Sequence, residues 1–153
     1  MKFLQTSFLK ATIICAFSAI SVAACAGQNE IVGFDPSKDM ATPASKIVFN
    51  KINPAISMGA AYGDMSKGGH GTFGKFPANF MTPFHTHTGA YHGVVIAGEM
   101  TNPFKGETNP PKMVPGSYWY VPENSVHATA CVSATPCQFY FHASSSFDFH
   151  PVK

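Results

Sequence analysis

The chain of 153 residues has no arginine, one tryptophan and only 12% charged residues. All ten of its basic residues are lysines, and the formal net charge is +2. Arginine's two-pronged donor geometry is the usual means of gripping phosphate or a guanine edge. Without it, and without any lysine cluster, nucleic acid is excluded as a partner. Long hydrophobic runs are also missing. The longest apolar stretch, residues 11–24, falls short of the roughly 20 residues that span a bilayer. No segment keeps a helical period, no internal repeat is present, and no Ser-His-Asp or cysteine-nucleophile signature occurs.

What is abundant is equally informative. There are 12 prolines, 13 glycines and 14 phenylalanines. Many turn residues joined to aromatic, β-favouring runs predict an all-β domain. Strands are expected over 46–52, 55–62, 70–76, 79–85, 91–97, 117–121, 126–131 and 137–142. Close turns separate them, such as Tyr62-Gly63-Asp64 and Lys67-Gly68-Gly69. About eight short strands of this kind fit a β-sandwich or jelly-roll barrel.

The start of the chain has the pattern of an export signal. Lys2 and Lys10 precede the apolar stretch, and its length suits a secretory signal peptide over 1–24. Two cleavage readings compete. Val22-Ala23-Ala24-Cys25 resembles a bacterial lipobox, which would lipidate Cys25; Ala24-Cys25-Ala26 fits ordinary cleavage after residue 26. The expected destination is the periplasm or a lipid-anchored position on the bacterial envelope, with membrane contact only through that anchor. Losing Lys2 and Lys10 leaves eight lysines against eight acidic residues, a formally neutral chain. Residues 25–45 are polar and turn-rich and read as a tether or N-terminal arm, with room for a strand around 31–34. The domain proper is expected over 46–153.

Cysteine usage agrees with export. Cys15 lies in the signal and Cys25 is lipidated or removed, which leaves Cys131 and Cys137. The spacer Val-Ser-Ala-Thr-Pro joins two strand-like runs, so the pair reads as a disulfide across a hairpin. A cysteine metal site is the alternative, although the spacer is long for a zinc knuckle.

The seven histidines carry the chemistry: His70, His85, His87, His92, His127, His142 and His150. His85-Thr86-His87 places two imidazoles on one face of a strand, where they can share a cation. Such a pair is weak evidence alone. A third histidine, His92, opens the apolar strand Gly93-Val94-Val95-Ile96-Ala97-Gly98. A fourth, His127, follows the unit Gly116-Ser117-Tyr118-Trp119-Tyr120-Val121-Pro122.

These stretches resemble the two motifs of the cupin superfamily. In the second motif, Gly116, Pro122 and His127 keep the spacing, Asn124 replaces a glycine whose left-handed backbone Asn tolerates, and Cys131 replaces an Asn. In the first, His85 and His87 fit, and Phe80 is read at the leading glycine. The usual Glu falls on His92 or on Tyr91, depending on whether four or three residues follow His87; His92 is the preferred ligand. The resemblance covers about residues 46–151 and includes a branch of small exported bacterial cupins of uncharacterised function. It implies a single cupin-type jelly-roll β-barrel, a double-stranded β-helix. It also implies one divalent transition metal ion (Fe, Zn, Ni, Cu or Mn) on His85, His87, His92 and His127. Imidazole-rich sites suit such ions. An all-histidine set should favour anionic oxygen donors such as enolates or carboxylates. Tyr91 and His142 are candidates for contacting substrate or orienting a ligand imidazole, whereas His70 and His150 are expected in solvent. The expected partner is a small molecule, and cupins commonly pair as homodimers. Two functions remain open: a metal-dependent, dioxygenase-like enzyme, and a non-catalytic cupin that binds or senses a metal or small ligand.

Overall fold

The computed structural model describes residues 34–153. The export segment, both cleavage readings and Cys25 lie outside the described residues. So does most of the strand expected around 31–34. Of the expected arm, residues 35–46 are exposed and contain a single 3-10 turn, Ala44–Lys46. Phe34 returns to pack on Tyr62, with ring centroids 5.3 Å apart.

The rest is antiparallel β-structure in two facing layers. The strands are β1 (Asn50–Lys51), β2 (Ser57–Tyr62), β3 (His70–Phe76), β4 (Phe80–Met81), β5 (His85–Thr86), β6 (Tyr91–Ala97), β7 (Met100–Thr101), β8 (Tyr118–Val121), β9 (Ala130–Cys131), β10 (Cys137–Ala143) and β11 (His150–Pro151). One layer is a six-stranded sheet in the order β1-β2-β3-β10-β6-β8. The other is built from β4-β9-β7 and from β11-β5, joined through bridges at His127 to His85 and Phe104. This is the all-β jelly-roll architecture that the sequence pattern predicts.

The long strands form because their residues alternate. Tyr91, Gly93 and Val95 of β6 face inward, while His92, Val94 and Ile96 are exposed. Cys137, Phe139, Phe141 and Ala143 of β10 do the same, as do Trp119 and Val121 of β8. The expected strand over 79–85 is broken into β4 and β5, because Pro83 cannot donate to a ladder. Two short strands, β7 and β11, fall outside the expected set; two residues are too few to show a period.

Small residues opposite large ones let the core close. Gly93 is the register partner of Trp119 and Gly74 of Phe139. A Cβ on Gly93 would lie 2.1 Å from the Trp119 ring, and one on Gly74 would lie 2.2 Å from Phe139. The bare backbone at these places lets each aromatic ring lie across the neighbouring strand.

Two left-handed asparagines shape the loops. Asn79 has φ 52° and Asn124 φ 57°. Asn124 therefore does what the motif glycine does elsewhere. The leading glycine of the first motif corresponds to Asn79, with five residues before His85, and not to Phe80, which lies in β4. Cys131 and Cys137 form a disulfide, but not across a hairpin of one sheet. Cys131 belongs to β9 and Cys137 to β10, so the bond joins the two layers.

Gly93→Ala tests the packing of Trp119. The added methyl must displace a buried indole, at a cost of roughly 1–3 kcal/mol, so thermal unfolding should move down by roughly 5–15 °C. The fluorescence of Trp119, the chain's single tryptophan, should shift with it. An unchanged Tm would show that the indole is free to move.

Candidate metal centre

His85 and His87 sit two residues apart and point the same way, as strand geometry requires. His127 reaches them through backbone pairing. The His85 N–H donates to the His127 carbonyl at 2.9 Å, and the His127 N–H donates to the His85 carbonyl at 3.0 Å. This double bond brings residues 42 positions apart in the chain to a ring-centroid distance of 4.3 Å. His85, His87 and His127 are 3%, 2% and 0% exposed. Each offers a nitrogen, and the three ligand atoms lie within 4.8 Å of one another.

Their tautomers follow from their partners. His85 Nδ1 donates to the Pro83 carbonyl at 2.8 Å and His127 Nδ1 to the Ser125 carbonyl at 3.0 Å. His87 Nδ1 donates to the Asp148 carbonyl through a short hydrogen bond. A carbonyl oxygen only accepts, so each Nδ1 carries the proton and each Nε2 presents a lone pair. The Nε2 atoms of His85 and His87 face each other at 3.1 Å. Two lone pairs at that distance repel unless a positive charge lies between them. A backbone carbonyl on the far nitrogen is the arrangement that fixes metal-ligating histidines. The donor set therefore fits a divalent transition ion.

Burial keeps the imidazoles neutral. It pushes His85 and His87 down to about 4 and lowers His127 as well. Tyr91 completes the cluster. Its phenol O–H donates to His127 Nε2 at 3.1 Å, and burial pushes it up to about 12.

The structure corrects the placement of His92. It does not join His85, His87 and His127. Successive side chains of a strand alternate, so Tyr91 and His92 cannot both face inward; Tyr91 is the buried one. His92 lies on the outer face, with Nδ1 2.5 Å from the Tyr118 hydroxyl. Tyr91 thus holds the place of the usual Glu, with three residues between it and His87. His142 is likewise outside. It is the register partner of His92, and its Nδ1 lies 3.0 Å from the His70 carbonyl and 2.9 Å from the Tyr62 hydroxyl. It orients no ligand imidazole. His70, expected in solvent, is 0% exposed. It is the first inward residue of β3, its Nδ1 2.8 Å from Thr72 Oγ1 and its ring against Phe141 and Phe147. His150 is exposed, as expected.

A C-terminal strap contributes residues that the sequence reading passed over. Phe147 stacks on His87 at 4.0 Å and Phe149 on His85 at 4.2 Å. β11 pairs with β5 to hold the strap in place. Asp148 turns its carboxylate away, toward the Thr88 N–H at 2.8 Å and His150 Nε2 at 3.0 Å. Burial works against its ionised form, but the contacts with Thr88 and His150 prevail and hold it near 2. The alternation Phe147-Asp148-Phe149 was the available signal, masked by the serine run before it.

His85 and His87 open onto a cavity of about 450 Å³ between the layers. Its walls include Ile56, Phe76, Phe80, Trp119, Phe139 and Phe141.

The comparisons with known proteins agree with this architecture. The model of a family described as Domain of unknown function (DUF4437) matches residues 47–153. The chain belongs to this family. Its fold is that of the cupins. The polyketide cyclase RemF from Streptomyces resistomycificus superposes with a TM-score of 0.64 at 14% identity, over 76% of this chain and 87% of that one. An RmlC-like cupin from Shewanella frigidimarina gives 0.59 at 14% identity, over 71% and 93%. Salicylate 1,2-dioxygenase from Pseudoaminobacter salicylatoxidans gives 0.51 at 16% identity, over 61% and 27%. At these identities the likeness is one of fold. No curated protein matches the sequence.

The buried imidazoles make the fold acid-sensitive. His70 is also pushed down to about 4 by burial. In the unfolded chain such groups protonate near 6.5. Between those values the unfolded state binds more protons, so the stability that these histidines contribute falls as pH drops through this window; their loss is complete below about 4, where the depressed Asp148 carboxylate continues the decline. The slope is roughly 1.4 kcal/mol per pH unit for each such group. Thermal unfolding of the metal-free protein should give a constant Tm above pH 7 and a steep decline from 6.5 to 4. A flat profile across that window would contradict the burial of neutral histidines.

Proposed function

We propose that this chain is an exported cupin that binds one divalent transition ion through His85, His87 and His127 and acts on a small organic molecule in the adjoining cavity. One observation carries the reading. Three buried imidazoles have their Nδ1 protons committed to backbone carbonyls, and their ligand nitrogens lie within 4.8 Å of one another. A bound ion would supply Lewis acidity to an oxygen donor of the ligand. The chain supplies the rest. The carbonyls of Pro83, Ser125 and Asp148 hold the imidazoles in register. Phe147 and Phe149 cover them and exclude water. Tyr91, kept neutral by burial, holds a proton beside His127 and can offer it to an oxygen atom of the ligand. With three neutral imidazoles and no carboxylate, the centre keeps its full dipositive charge, which favours an anionic oxygen donor.

Export is supported by the lysine-flanked apolar segment at the start of the chain and by the Cys131–Cys137 disulfide, a bond typical of oxidising compartments. The related folds include one named as a cyclase and one as a dioxygenase, so this architecture accommodates such chemistry without specifying it. A second reading, a cupin that binds or senses its ligand without turnover, is favoured by the acid–base inventory. Among the described residues Asp148 is the one carboxylate at the cavity wall, and it is turned toward Thr88 and His150.

Metal content of protein purified from the exported fraction, without tag or chelator, tests the proposal. About one ion per chain is expected, lost in His87→Ala and in His127→Ala but retained in His92→Ala. A wild type that holds no ion and takes up none of Fe, Mn, Ni, Cu or Zn would end the metal reading. Dioxygen uptake by the Fe(II)-loaded protein with diketones, thiols and phenols then separates enzyme from sensor. Consumption abolished by His85→Ala supports turnover, whereas tight binding without consumption supports sensing.

A further inference from the structure

The cavity is chemically lopsided. His85, His87, Tyr91, Thr82 and Thr129 supply most of its polar groups; the remainder is mainly phenylalanine, isoleucine and methionine with Trp119, and only Asn53 and Asp148 add further polar side chains. Among the described residues no lysine lines it, and the chain contains no arginine. Asp148, the one charged residue among the described residues of the wall, has both carboxylate oxygens engaged. A ligand carrying phosphate, sulfate or several carboxylates would leave those charges buried against hydrocarbon, at a cost that no cation on the wall offsets. A sugar would bury more hydroxyls than the few polar side chains of the wall could pair.

The walls select for shape as well. Phe76, Phe139 and Phe80 meet edge to face, at 5.0 Å for each contact with Phe76. Trp119 stands 5.9 Å from Phe139. Its indole N–H is buried and makes no hydrogen bond of good geometry, although it lies beside the Tyr91 phenol. A buried donor left without a partner is destabilising. An acceptor atom on a bound molecule would relieve it.

We propose that the cavity receives a planar aromatic molecule with a single oxygen-bearing edge, of the phenol or aryl ketone class. The ring lies among the phenylalanines, and the oxygen edge lies between Trp119 Nε1 and the histidines. The contact of that oxygen with a metal rests on the function proposed above; the seating of the ring and the hydrogen bond from Trp119 do not. A volume of about 450 Å³ admits a bicyclic molecule, and sites of this size are ordinary for small-molecule ligands.

Calorimetric titration of the purified protein tests this, with and without prior removal of metal by chelator. The probes are 2-naphthol, its saturated counterpart decahydro-2-naphthol, and glucuronate. Naphthol should bind one to one in both forms, more tightly with metal. The saturated alcohol should bind roughly three- to tenfold more weakly, the scale of an aromatic contact. Glucuronate should not bind. Met58→Trp, which fills the cavity away from the histidines, should abolish naphthol binding. Trp119→Phe should weaken it by roughly three- to tenfold. Glucuronate binding as tightly as naphthol, equal affinity for the two alcohols, or no naphthol binding to either form would each overturn the proposal, whatever becomes of either variant. Metal uptake without naphthol binding would refute this ligand class and leave the metal reading standing. Naphthol binding in a protein that takes no metal would support the ligand class and refute the metal reading.

Discussion

The reciprocal backbone bonds between His85 and His127 hold the site together. They join β5 to the segment before β9 and set two imidazoles side by side in the second layer of the barrel, tilted with ring centroids 4.3 Å apart. Strand geometry then adds His87 at no further conformational cost, since residues two apart share a face. The remaining freedom of each ring is removed by a carbonyl on its Nδ1. These carbonyls come from three places: the residue two before each of His85 and His127, and the C-terminal strap. The strap is thus more than a lid. Without the Asp148 carbonyl, His87 would lose the bond that fixes its tautomer, and without Phe147 and Phe149 two imidazoles would lose their cover.

The facing layer explains why the surroundings are so apolar. The six-stranded sheet sends Phe76, Phe139, Phe141 and Trp119 toward the histidines. Gly74 and Gly93 leave space for the larger rings. Low polarity keeps the imidazoles unprotonated and therefore ready to act as ligands at neutral pH. It also strengthens any electrostatic interaction inside the barrel. Packing, protonation state and ligand preference all follow from one arrangement of aromatic side chains.

Much of this was legible from residues alone. The turn-rich, phenylalanine-rich composition indicated β-structure, and the spacing from Gly116 through Pro122 to His127 identified the strand that delivers the third imidazole. Asn124 was expected to take a left-handed backbone, and it does. The choice between Tyr91 and His92 was not legible from hydrophobicity, because both faces of β6 are apolar: Val94 and Ile96 accompany His92 outward while Val95 accompanies Tyr91 inward. His70 was misplaced because it follows two glycines and looks like part of their turn. The strap was missed because its strand spans only two residues, and its contribution at His87 is a main-chain carbonyl, which no side-chain motif can reveal. Pairing between the layers, including the Cys131–Cys137 bond, depends on topology that local pattern does not contain.

The central claim is that three neutral imidazoles present Nε2 to a common point. Long-range proton–nitrogen correlation NMR on histidine-labelled, metal-free protein at pH 7 tests it most directly. His85, His87 and His127 should all show the Nδ1–H tautomer, and one equivalent of Zn(II) should shift the Nε2 resonances of those three and leave His92 and His142 unmoved. An Nε2–H tautomer at any of the three, or a zinc-induced shift centred on His92, would contradict the account.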